Sequence, residues 1–130
     1  MTYYCWHCYG MSSRARGTCE HCGSEIAAPE DTSFDARLIW ALGHPLPGRQ
    51  MAAISALGKR RVAAARGQLA ELVHDADPYL AAAALEALAR IDGAERYRSL
   101  LATLSISGPP QVRHVAERLS AQLRDGTSPT

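Results

Sequence analysis

The chain has 130 residues, and 14 basic against 13 acidic side chains leave a formal net charge of +1 at pH 7. That balance excludes a global field drawing the whole molecule to nucleic acid or to an anionic membrane. The longest apolar run, Tyr79 to Leu85, is far too short to cross a bilayer, so no membrane partner is expected. Lys59 is the single lysine beside 13 arginines and asparagine is absent, which reads as the bias of a GC-rich bacterial genome.

In chain order the first feature is the cysteines. All four lie in the first 22 residues, as Cys5, Cys8, Cys19 and Cys22, in the pattern Cys-x2-Cys-x10-Cys-x2-Cys. A two-residue gap lets both thiolates of a hook point at one centre, and two such hooks suit a single tetrahedral zinc ion. Gly23 follows the second hook where the chain must turn sharply, and Gly10 lies one position further on after the first. Iron in a rubredoxin-like centre uses similar hooks, and disulfides are the remaining alternative. The start Met-Thr-Tyr-Tyr-Cys-Trp lacks a basic patch followed by an apolar run, so reduced thiols and a cytoplasmic location are expected.

Residues 1–26, with Cys5-Trp6-His7-Cys8 and Cys19-Glu20-His21-Cys22-Gly23, resemble a small prokaryotic zinc ribbon. Four thiolates leave no open coordination position, so one structural Zn2+ is expected and no hydrolytic chemistry at the metal. A segment this poor in apolar residues depends on metal to fold. His7 and His21 are expected to be exposed side chains of the hooks. Trp6 and Tyr9, with Tyr3 and Tyr4 nearby and Arg14 and Arg16 in the loop, make an aromatic-basic cluster suited to a partner. The same aromatics are equally suited to packing the ribbon onto the first helical repeat of the remaining chain.

Residues 27–33 read as a linker, in which Pro29 and the Thr32-Ser33 pair announce a helix start. From 34 to 124 the chain repeats itself at 31 residues without a gap. Leu38, Leu69 and Leu100 align, as do Ile39, Ala70 and Leu101, and Leu42, Val73 and Leu104. Pro47, Pro78 and Pro109 come next, then Ala53, Ala84 and Val115, then Leu57, Leu88 and Leu119. Each copy reads as an amphipathic helix, a turn, and a second helix opened by proline. The predicted pairs are 33–43 with 47–58, 62–75 with 78–91, and 94–105 with 109–124. Gly93 marks one break between pairs, and Gly58 with Lys59-Arg60-Arg61 another. One such pair cannot bury its apolar face, but a stack of three can. The predicted fold is therefore mainly α: a right-handed solenoid of three helix pairs behind a small β zinc ribbon, with a disordered tail over 125–130.

The period, and the run Asp75-Ala76-Asp77-Pro78-Tyr79-Leu80 followed by Ala82-Ala83-Ala84-Leu85-Glu86-Ala87-Leu88, resemble the short HEAT-like repeats of the phycobilisome-lyase type. That family follows its proline with a β-branched residue and an arginine, a pair kept here only as Val112-Arg113. The resemblance implies a binding scaffold whose second helices line a concave face read by partner proteins or nucleic acid. A lyase-like or chaperone role is the weaker implication.

No catalytic constellation stands out. His44, His74 and His114 are scattered over the repeats, the four cysteines are committed to metal, and no phosphate-binding glycine loop is present. The expected function is a non-enzymatic adaptor that docks a protein partner or larger assembly; a nucleic-acid-binding accessory factor is the alternative. Arg49, Lys59, Arg60, Arg61 and Arg113 join the ribbon residues as candidate partner contacts. The stretch from Lys59 to Arg66 contains no acid. A homo-oligomer remains open, because the C-terminal repeat carries no obvious polar cap.

Overall fold

The computed structural model describes residues 1–125; residues 126–130, most of the expected tail, lie outside the described residues. Two short strands, β1 (Tyr3–Tyr4) and β2 (Met11–Ser12), pair antiparallel, and Thr18 bridges Glu25. Six helices follow: α1 (Phe34–Ala41), α2 (Pro47–Arg60), α3 (Arg66–Leu72), α4 (Pro78–Asp92), α5 (Arg98–Ser107) and α6 (Pro110–Arg124). They form three antiparallel pairs. The second helix of each pair stacks on the next, α2 on α4 and α4 on α6, which is the solenoid the repeat predicts.

The local signals act as expected at several ends. Ser33 Oγ accepts from the Ala36 N–H at 3.0 Å and opens α1. Asp77 accepts from the Tyr79 N–H at 2.9 Å and opens α4, with Pro78 in its first turn. Gly93 closes α4 at φ 86, a conformation that favours glycine.

Three details differ from expectation. The second and third pairs open with 3-10 turns, Ala63–Ala65 and Ala94–Tyr97, before α3 and α5 begin. The third copy starts its second helix at Pro110, so Pro109 precedes the helix instead of opening it. Gly58, Lys59 and Arg60 are not in a break. They continue α2, which ends at Arg61 in the left-handed region at φ 54.

The core follows the repeat columns. Ala53, Ala84 and Val115 are buried, as are Leu57, Leu88 and Leu119, and Leu42, Val73 and Leu104. A further column, Ile54, Leu85 and Ala116, is wholly inaccessible. Ala70 is the exception, exposed where Leu101 is buried. A clamp joins the two helices of the second pair. Arg66, at the start of α3, grips Asp92 at the end of α4 through two parallel bonds, Nε to Oδ2 at 2.8 Å and a second guanidinium N–H to Oδ1 at 2.6 Å. The Tyr97 hydroxyl donates to the same carboxylate.

Candidate functional site

The four cysteines converge. Their Sγ atoms all lie within 4.8 Å of one another, and Cys5–Cys22 and Cys8–Cys19 are each 3.7 Å apart with no disulfide. Four sulfurs held about 2.3 Å from one tetrahedral ion sit about 3.8 Å from each other, so the quartet fits a single metal ion.

The two hooks are near copies of one another. Cys5 N–H donates to Gly10 O at 3.0 Å and Cys19 N–H to Ser24 O at 2.7 Å. The N–H groups of Tyr9 and Gly23 return to Cys5 O and Cys19 O, both at 2.9 Å. His7 N–H points at Cys5 Sγ (3.4 Å) and His21 N–H at Cys19 Sγ (3.3 Å). The residue forced left-handed after the first hook is Tyr9, φ 61, where the second uses Gly23, φ 78. Gly10 is required for another reason: a Cβ there would lie 2.7 Å from the His21 ring.

The thiols do not share protons evenly. N–H groups of Cys22 and His21 aimed at the Cys19 sulfur pull that thiol down to about 6. At Cys8 the Gly10 N–H also pulls down, but desolvation and the crowded thiols of Cys19, Cys22 and Cys5 prevail, pushing it up to about 12. A cation at the centre removes that mutual opposition.

The ribbon is docked on the first repeat. Trp6 and Tyr9 both stack on Trp40 of α1, at centroid distances of 5.3 and 5.0 Å. Trp40 Nε1 donates to Trp6 O, and Tyr9 Oη donates to Trp40 O, each at 2.7 Å. Gly43 lets the tyrosine pass, since a Cβ there would lie 2.6 Å from Oη. His44, only 2% exposed, packs edgewise on Tyr4 and Trp40. Its Nδ1 accepts from the Leu46 N–H at 3.1 Å. Burial, then the nearby Arg49 charge, lowers its pKa and keeps it neutral at pH 7.

The other candidate contacts separate into groups. Arg14 folds over its own loop onto Thr18 O at 3.1 Å, and Arg16 is exposed beside it. Arg60 turns to α1, pairing with Asp35 at 2.7 Å and lying over the Phe34 ring. Lys59 and Arg61 instead meet Arg90 around a cavity at the α2–α4 seam. That cavity adjoins a groove of about 260 Å³ floored by Met51, Ile54, Ala83 and Ala87. Arg49 lines a separate cleft between ribbon and α1, and Arg113 is exposed on α6 outside both.

Trp40, Arg37 and Arg90 were not legible as site residues. A signal for Trp40 existed in the repeat: its column holds Glu71 and Ala102, both exposed. A tryptophan in a solvent-facing column marks a face that something covers.

A cysteine knuckle able to hold one metal ion, packed on a stack of helix pairs, defines a small metal-knuckle solenoid. Residues 35–121, well over half of the chain, match the family model described as HEAT repeats, and the chain belongs to that family. No curated protein and no solved structure matches it. Among the described residues no helix is long and apolar enough to cross a membrane.

Proposed function

We propose that the chain is a non-enzymatic docking module, in which a zinc-stabilised ribbon caps a three-pair solenoid whose second-helix face takes a protein partner. The observation that carries this reading is the α2–α4 groove. Its floor is apolar; Glu86 in its lining is already held by Arg90 and Arg118, and Lys59 and Arg61 stand at one end of it. Neither Lys59 nor Arg61 forms an ion pair among the described residues. Such a surface suits a partner helix that lays an apolar stripe on the floor and acidic residues toward the cations. HEAT repeats commonly serve protein interaction, which supports the reading. The phycobilisome-lyase-type resemblance is compatible with it, since such repeats also occur in proteins that handle no chromophore.

Zinc is the proposed metal because four thiolates are its preferred structural set and close its coordination shell. The metal's task is then to fold the ribbon.

Partner capture from the native cytoplasm, compared between wild type and a Lys59→Glu/Arg61→Glu variant, tests the docking face. Binding to generic DNA and RNA is titrated with salt alongside. Partners lost from the variant support the reading. Micromolar nucleic-acid affinity with a steep salt slope supports the accessory-factor alternative and overturns it.

A further inference from the structure

We propose that the cleft between the ribbon and the first repeat is a second binding site, for an acidic peptide segment bearing an apolar side chain. The cleft encloses about 380 Å³, enough for one such side chain and a carboxylate. Tyr3 and Trp6 from the ribbon and Trp40 from α1 supply aromatic wall, and Arg37 and Arg49 supply charge.

Three observations point to an anion. No carboxylate lines the cleft, and neither arginine forms an ion pair among the described residues. Arg49 sits in the first turn of α2, which contains no acid, so the positive end of that helix is uncompensated. His44 is buried in the wall with Nδ1 occupied by the Leu46 N–H, which leaves Nε2–H as a donor without a protein partner among the described residues. Two exposed guanidinium forks and a buried imidazole that line one cleft suit a carboxylate.

The walls favour a peptide over a nucleotide. Trp40 is already stacked on Trp6 and Tyr9, so its ring is not available to a base. The net charge of +1 offers little of the phosphate attraction that single strands need. The ligand class rests on the protein-docking reading above, but the residues are different ones, so either site can fail without the other.

Trp6 and Trp40 are the only tryptophans, so intrinsic emission reports this cleft directly. The probe is an acetylated, amidated Asp-Leu-Asp-Leu tetrapeptide, with Lys-Leu-Lys-Leu as its control. The expected result is a saturable emission change with the acidic peptide at a Kd on the order of 1 mM or tighter, and none with the basic one. Arg37→Glu and Arg49→Glu, both at exposed positions, each weaken binding about tenfold, with Arg37→Gln and Arg49→Gln as milder companions; Lys59→Glu leaves it unchanged. The proposal is overturned by no saturable change with the acidic peptide, by binding indifferent to both arginines, or by an oligothymidylate that displaces the peptide at lower concentration. Intact peptide binding with lost partner dependence on Lys59 and Arg61 would count against the groove alone.

Discussion

Trp40 donates its indole N–H to the backbone carbonyl of Trp6 at 2.7 Å, while the two rings stack 14° from parallel. Tyr9 returns the bond, donating to the Trp40 carbonyl. Ribbon and first repeat thus exchange hydrogen bonds across a stacked aromatic seam, and the ribbon covers the outer face of α1. Satisfying a buried indole N–H with a backbone carbonyl also fixes the angle at which the ribbon sits.

Replacing Trp40 should therefore uncouple the two parts. Trp40→Ala removes both stacks and the indole donor, and should cost about 3 kcal/mol of stability. Trp40→Phe keeps a ring and loses only the donor, costing about 1 kcal/mol. Thermal unfolding measures the cost, and Trp6 emission should shift to the red in Trp40→Ala. Equal stability of both variants would show that the seam contributes little beyond its hydrogen bond.

The metal should hold the ribbon and only indirectly the helices. The protein purified without added metal is expected to contain one zinc per chain, and stoichiometric iron would refute that. Cys19→Ser leaves three ligands and should unfold the ribbon. The helical signal should mostly persist, because the core columns from Ala53 to Leu119 are filled by solenoid residues alone. Complete loss of helicity in that variant would mean that ribbon and solenoid fold as one cooperative unit.

Acid should weaken the clamp within the second pair. The Arg66 fork, with further help from the Tyr97 hydroxyl, holds the Asp92 carboxyl down at about 2 against the burial that opposes it. A carboxylate depressed in the folded state binds fewer protons there than when unfolded. Its stabilisation is present above its unfolded value near 4 and is lost as pH falls from 4 toward 2. Asp92 is nearly buried, so that loss is about 2 kcal/mol. Asp92→Asn should be less stable at pH 7 and should show a flatter profile between pH 4 and pH 2. Parallel profiles for the two proteins would remove Asp92 from the account.

How much of the fold and site was legible depends on which forces leave a periodic trace. The columns Leu57-Leu88-Leu119 and Leu42-Val73-Leu104 announced the stack because burial repeats wherever one pair meets the next. The cysteine spacing announced a shared centre because four sulfurs around one ion demand it. The seam left a fainter trace, since it occurs once: Trp40 meets Trp6 across 34 residues, and no period connects them. Charge was least legible. Lys59, Arg60 and Arg61 are adjacent in sequence, yet Arg60 pairs with Asp35 while its neighbours meet Arg90. Lys59 and Arg60 are consecutive on α2 and point in different directions, and Arg61 leaves the helix in the left-handed region, so the basic run divides between two faces.

Gly58 gives the sharpest test of the α2–α4 seam. A glycine near the end of a long helix costs about 1 kcal/mol relative to alanine, so its presence there calls for a packing reason. That reason is close approach: a Cβ at Gly58 would lie 3.0 Å from the Ala87 Cβ and 3.1 Å from its Cα. Gly58→Ala sets the gain in helix propensity against a squeeze of a few tenths of an ångström, and should come out within about 1 kcal/mol of neutral. Gly58→Leu drives a branched chain into backbone that cannot yield, and should cost about 2 kcal/mol, or roughly 5–10 °C in Tm. Because Gly58 also lines the groove, the leucine variant should lose partner capture even where it is fully folded, while the alanine variant keeps it. A leucine variant as stable as wild type would mean that α2 and α4 can part at no cost, and the groove between them would then lack the fixed shape a docking face needs.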